Sequence, residues 1–82
     1  MEYRYIYFKE IEGKAKTSVW QCLSRRGDYV LGEVKWYGPW RQYCFFPRGD
    51  AVFNVGCLVD VNDFIMGVMK ERQSFLSRGK NG

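Results

Sequence analysis

Apolar and polar positions alternate with a period of two through the first half of the chain. Near residue 54 the period changes to about 3.6, and it changes only once. The run Tyr3–Ile11 is rich in aromatic and β-branched residues and predicts a first strand, with Tyr3, Tyr5 and Tyr7 on one face and Ile6 and Phe8 on the other. Residues 12–16 are small or polar and predict a turn. Thr17–Ser24 is the second strand: Val19, Gln21 and Leu23 alternate with Trp20, Cys22 and Ser24. Arg25-Arg26-Gly27-Asp28 is a loop in which Gly27 can take a positive φ. Tyr29–Tyr37 is the third strand, with Val30, Gly32, Val34 and Trp36 on one face and Tyr29, Leu31, Glu33, Lys35 and Tyr37 on the other. A glycine inside a strand marks a bulge or a close approach of another group, so Gly32 is a position to watch. Gly38-Pro39 makes the next turn, Trp40–Phe46 the fourth strand, and Pro47-Arg48-Gly49-Asp50 a further turn.

Leu58, Val61, Phe64, Ile65, Val68 and Met69 then recur at intervals of three and four, which predicts a helix over about 55–75. Asn54 is its expected N-cap. Asp60 and Asp63 lie early and Lys70 and Arg72 late, as the helix macrodipole favours. Residues 1–76 are expected to form a single α+β domain, and 77–82 a disordered tail.

The element order is β-β-β-β-α. Short turns imply an antiparallel four-stranded meander, and one helix implies cover for one sheet face only. The helix-covered face is assigned Val19, Leu23, Val34, Trp36, Tyr43 and Phe45. The open face is left with Trp20, Leu31, Tyr37 and Phe46. Each aromatic carries roughly 150 to 250 Å² of surface, more together than a monomer normally leaves bare. An uncovered face of this kind implies a partner.

The 82-residue length fits one domain, and an ordinary hydrophobic fraction of 46% argues against disorder. No apolar run approaches the roughly 20 residues that span a bilayer, and the N-terminus lacks the apolar stretch of a signal peptide, so no membrane association is expected and the expected compartment is the cytoplasm. Three cysteines cannot all pair within one chain, and none forms a Cys-x-x-Cys spacing. Together with the absence of histidine, this excludes the common zinc sites and every triad that needs an imidazole base. No glycine-rich phosphate loop occurs. The chain is therefore expected to be no enzyme, with no cofactor and no metal.

Two function classes remain. Trp20, Lys35, Tyr37, Trp40 and Arg41 combine the residue types that dominate binding hot spots, and they are the candidate partner-binding residues. The favoured reading is a protein-interaction module that meets another protein or a second copy of itself as a homodimer. The alternative is a nucleic-acid binder that stacks bases on aromatics and holds phosphates with Lys and Arg, consistent with a net charge of +4. Glu33, on the same face as Lys35 and Tyr37, counts against the second.

The string from Leu31 to Pro47, LGEVKWYGPWRQYCFFP, resembles a set of short phage, prophage and mobile-element proteins of uncharacterised function. In that set a Val-Trp pair precedes the string, as Val19-Trp20 does here, and a helix like that of Cys57, Leu58, Asp63, Phe64 and Ile65 follows it. The resemblance covers about residues 17–70. It implies a mobile-element origin, which would make the expected cytoplasm that of a host cell and the expected protein partner a host protein, and it brings no activity with it. In topology alone, strands packed on one helix are similar to the plant ethylene-response DNA-binding domains and to phage integrase arm-binding domains. Those lay a sheet in the major groove, which is what the nucleic-acid alternative would require of Trp20, Lys35, Tyr37 and Arg41.

Overall fold

The computed structural model describes residues 3–13 and 17–81, with helix side chains described through Leu76 except at Phe75. The expected turn at 12–16 thus falls partly outside the described residues. The chain forms β1 (Ile6–Glu12), β2 (Val19–Ser24), β3 (Val30–Tyr37), a 3-10 turn (Gly38–Trp40), β4 (Gln42–Pro47) and α1 (Val55–Asn81). The four strands make one antiparallel sheet in the order β1-β2-β3-β4, the meander that short connections require. The architecture is the expected α+β arrangement.

Helix α1 starts where the sequence places its cap. The Asn54 side-chain oxygen accepts a hydrogen bond from the Cys57 amide at 2.8 Å, and the Leu58 amide bonds the Asn54 carbonyl at 3.0 Å. The helix continues to Asn81, beyond the expected end near 75. No proline lies in this stretch to stop it. Gly82 lies outside the described residues.

Two adjoining clusters form the core between sheet and helix. One centres on Ile6, Cys22, Leu31, Cys57 and Val61, the other on Val34, Tyr43 and Val68. Val34, Trp36, Tyr43 and Phe45 face the helix as expected. Val19 and Leu23 do not: in β2 the helix-facing pair is Trp20 and Cys22. Cross-strand register sets this, because directly opposite residues share a face. Trp20 pairs with the inward Val34 and Cys22 with Gly32, while Gln21 pairs with the outward Glu33.

Leu31 is the second correction. The register shifts between Cys22 and Leu23, whose partners are Gly32 and Val30, so Leu31 is an extra residue in β3. The bulge breaks strict alternation and turns Leu31 inward, where it is 6% exposed. Gly32 allows the bulge to close. A Cβ there would stand 2.6 Å from both the Phe45 ring tip and the Phe46 carbonyl oxygen. On the helix, Cys57 rather than Leu58 enters the core, and Leu58 remains exposed.

Candidate binding surface on the open sheet face

The face turned from the helix follows from the pairings. Tyr7 and Lys9 of β1, Gln21 and Leu23 of β2, Glu33, Lys35 and Tyr37 of β3, and Gln42, Cys44 and Phe46 of β4 share it. Its β1–β2 end is polar or closed over. The Tyr7 hydroxyl donates to Asp28 at 2.8 Å, the Arg25 guanidinium lies 5.6 Å from the Tyr7 ring centre, and Leu23 is buried.

The β3–β4 end carries the aromatic group. The Tyr37 ring meets Phe46 edge-to-face at 6.0 Å and Trp40 at 5.0 Å. The Lys35 ammonium sits 4.7 Å over the Phe46 ring and 3.5 Å from Glu33. Lys35 is thus fixed on an aromatic face and paired with a carboxylate. Tyr37 and Phe46 remain half-buried and Trp40 is 65% exposed.

Trp40 owes this position to the turn. Tyr37 ends β3 in extended geometry, Pro39 starts a 3-10 turn, and Arg41 closes it in the left-handed region at φ 52. The Arg41 amide donates to the Gly38 carbonyl at 3.1 Å. Trp40 therefore lies in the turn and not in β4, where the sequence pattern had set it. Held there, its indole packs against Tyr37 at the sheet corner. Arg41 is exposed beside it.

Three of the five predicted binding residues, Lys35, Tyr37 and Trp40, thus come together, with Arg41 next to them in the turn. Phe46 completes the group and was expected on this face. Trp20 does not belong to it. It lies between sheet and helix, edge-to-face with Phe64 at 5.6 Å and with Tyr43 at 5.9 Å. Its register opposite Val34 removes it from the open face.

Sequence reasoning missed two exposed features. Val55, Leu58, Val59 and Met66 form an exposed apolar stripe along α1. Their spacing of three, four and seven is legible in the chain, but it merges with the neighbouring core stripe. The other feature is a cavity that gathers Arg4, Arg25 and Arg26, residues far apart or unremarkable in sequence. Among the described residues no cluster of three or more His, Cys, Asp or Glu could hold a metal ion, and no helix is long and apolar enough to cross a membrane.

Fold and surface together define a small α+β protein with one aromatic sheet face left open. No family model matches the chain, and no solved structure matches it. It is 34% identical over 71 residues to an uncharacterised 9.3 kDa protein of Acholeplasma phage L2, a match spanning 84% of this chain and 90% of that one. The chain belongs to the family of that phage protein, in agreement with the resemblance of its tryptophan-rich string.

Proposed function

We propose that this chain is a non-enzymatic protein-binding module of mobile-element origin, which docks a protein partner on the open face of its sheet in the host cytoplasm. One observation carries the reading: Tyr37, Phe46 and Trp40 form a contiguous aromatic group on the side that the helix leaves bare. Aromatic residues flanked by charge, at the centre of a polar surround, match the composition of binding hot spots. Lys9, Gln21, Gln42 and Glu33 supply the polar surround.

The charge pattern favours a protein over nucleic acid on this face. A base-stacking surface needs unpaired cations around its aromatics. Here Lys35 is paired with Glu33, and Trp20, the indole that the nucleic-acid alternative relied on, is turned into the core. A foreign protein and a second copy of the chain both satisfy the surface chemically, and a twofold dimer is the simplest closed form of the latter.

Affinity capture from host lysate, with and without nuclease, tests the proposal together with sedimentation of the purified chain. A protein retained after nuclease treatment, or a concentration-dependent dimer, agrees with it provided that Tyr37→Ala abolishes the association. Capture that disappears with nuclease would contradict it.

A further inference from the structure

The geometry points to a second, independent site: we infer that the cavity lined by Arg4, Arg25 and Arg26 binds the phosphate of a nucleotide. The cavity has a volume of about 630 Å³ and lies at the start of α1, on the other side of the sheet from the aromatic group. That volume falls within the usual span of small-ligand sites. No glycine-rich phosphate loop marks this site in the sequence, and the nucleic-acid alternative placed its phosphate contacts on the sheet face instead.

The cations come from two separate places in the chain. Arg25 and Arg26 belong to the β2–β3 turn, and Arg4 precedes β1. Register brings them together, since Ile6 pairs with Ser24 and the Arg25 amide bonds the Tyr5 carbonyl at 3.0 Å. Turn geometry fixes the pair of arginines. The Ser24 hydroxyl accepts from the Arg26 amide at 3.1 Å, and Gly27 and Asp28 follow at φ 91 and 56.

Among the described residues, none of the three arginines has a carboxylate partner and no Asp or Glu lines the cavity. Arg25 donates its Nε to the Tyr3 carbonyl at 2.6 Å while its guanidinium lies 5.6 Å from the Tyr7 ring centre, so it stands at the rim of the cavity, where the sheet edge meets the open face, and Arg4 and Arg26 are the cations to test. Arg4 lies over the Tyr5 ring at 5.3 Å. Three like charges around one cavity repel one another unless an anion offsets them. Arg is also the side chain whose planar fork best fits phosphate oxygens. Asp28, in the same turn as Arg25 and Arg26, accepts the Tyr7 hydroxyl at 2.8 Å.

The remaining walls suit the rest of a nucleotide. Tyr5 and Tyr29 are 47% and 59% exposed, and Ile6, Leu31 and Val52 add an apolar lining. Exposed tyrosine rings beside arginines allow a base to stack while its phosphate is held. Asn54 and Cys57 also line the cavity, so the positive end of the α1 dipole adds to the same field.

The phosphate can belong to a free nucleotide or to the end of a nucleic-acid strand, and calorimetric titration of the full chain distinguishes them. The probes are ADP, adenosine, pyrophosphate and a 5′-phosphorylated tetrathymidylate. ADP should bind saturably at low salt and more weakly as salt rises. Adenosine should show no saturation, and pyrophosphate should bind more weakly than ADP. Arg26→Ala and Arg4→Ala should each weaken ADP by about tenfold or more, the loss expected for a charge-assisted hydrogen bond. Trp40→Ala, on the other face, should leave the titration unchanged. Tighter binding of the tetranucleotide than of ADP would assign the phosphate to a strand end, and the reverse would assign it to a free nucleotide. Failure of both to saturate, or equal binding by a folded Arg4→Ala/Arg26→Ala double variant, would overturn the site. ADP no tighter than pyrophosphate would overturn the stacking wall.

Discussion

Phe8 and Phe64 lie face to face, with ring centroids 3.8 Å apart and planes 4° from parallel. The contact joins the outermost strand β1 to the middle of α1. Trp20 meets the same Phe64 ring edge-on, so one helix side chain ties two strands to the helix.

Phe64→Ala should therefore destabilise the fold by about 3 kcal/mol, the lower part of the range for Phe truncation because the ring is only half-buried. A chain of this length has roughly 5 kcal/mol in hand, so chemical denaturation should show a large midpoint shift. A midpoint within error of the parent would mean that the helix does not hold β1 through this ring.

Gly32→Ala tests the bulge. The added methyl would meet the Phe46 backbone oxygen at 2.6 Å, and that oxygen is held in the β3–β4 ladder. The Phe45 ring can rotate away; the carbonyl cannot. A cost of about 1 to 3 kcal/mol is expected in the same denaturation assay. An unchanged midpoint would show that β3 relaxes at this site.

These two positions also show how far the sequence could be read. The element order, the meander, the cap at Asn54 and the inward placement of Val34, Trp36, Tyr43 and Phe45 followed from period and turn chemistry. The inward face of β2 did not. Both its sets are apolar enough for a core, and only the pairing of Trp20 with Val34 decides between them. Leu31 was misplaced because an alternation rule has no room for an inserted residue, although Gly32 carried a hint of the bulge. At the candidate surface, Lys35, Tyr37, Trp40 and Arg41 were legible because they surround one turn. The arginine cavity was not, since Arg4 and Arg25 meet only through the β1–β2 register.

Alkaline pH should destabilise the chain through two acids, buried Cys22 and half-buried Tyr3. Burial, and then the field of Cys57, pushes the Cys22 thiol up to about 12 from 9.0. Burial and then the hydrogen bond to Asp63, 2.9 Å long, push the Tyr3 hydroxyl up to about 12 from 10.0. Both groups are held neutral in the fold and ionise more readily when unfolded. Their contribution is complete below pH 9 and is lost as pH climbs from there through 12. Melting curves should fall across that window, less steeply for Tyr3→Phe. A flat profile to pH 12 would contradict this placement of the two groups.

Arg72 should act as a strap on the sheet. Its guanidinium lies 3.9 Å from the centre of the Trp36 ring, on the face where helix meets β3. Arg72→Ala should cost about 0.5 to 2 kcal/mol, with Arg72→Lys recovering part of it. A Lys variant no more stable than the Ala variant would remove the cation–π contact from the account.

The central claim is that the open sheet face binds protein through Tyr37, Phe46 and Trp40. Trp40 is the residue to test, since at 65% exposure it can be truncated with little cost to the fold. The decisive measurement is the binding affinity of parent and Trp40→Ala chains for the nuclease-resistant protein partner, or for a second copy of the chain, alongside their melting temperatures. The account predicts that Trp40→Ala weakens association by roughly 2 kcal/mol or more, the loss typical of a hot spot, at an unchanged melting temperature. Equal affinity for the two chains, or a loss matched by an equal fall in stability, would contradict it.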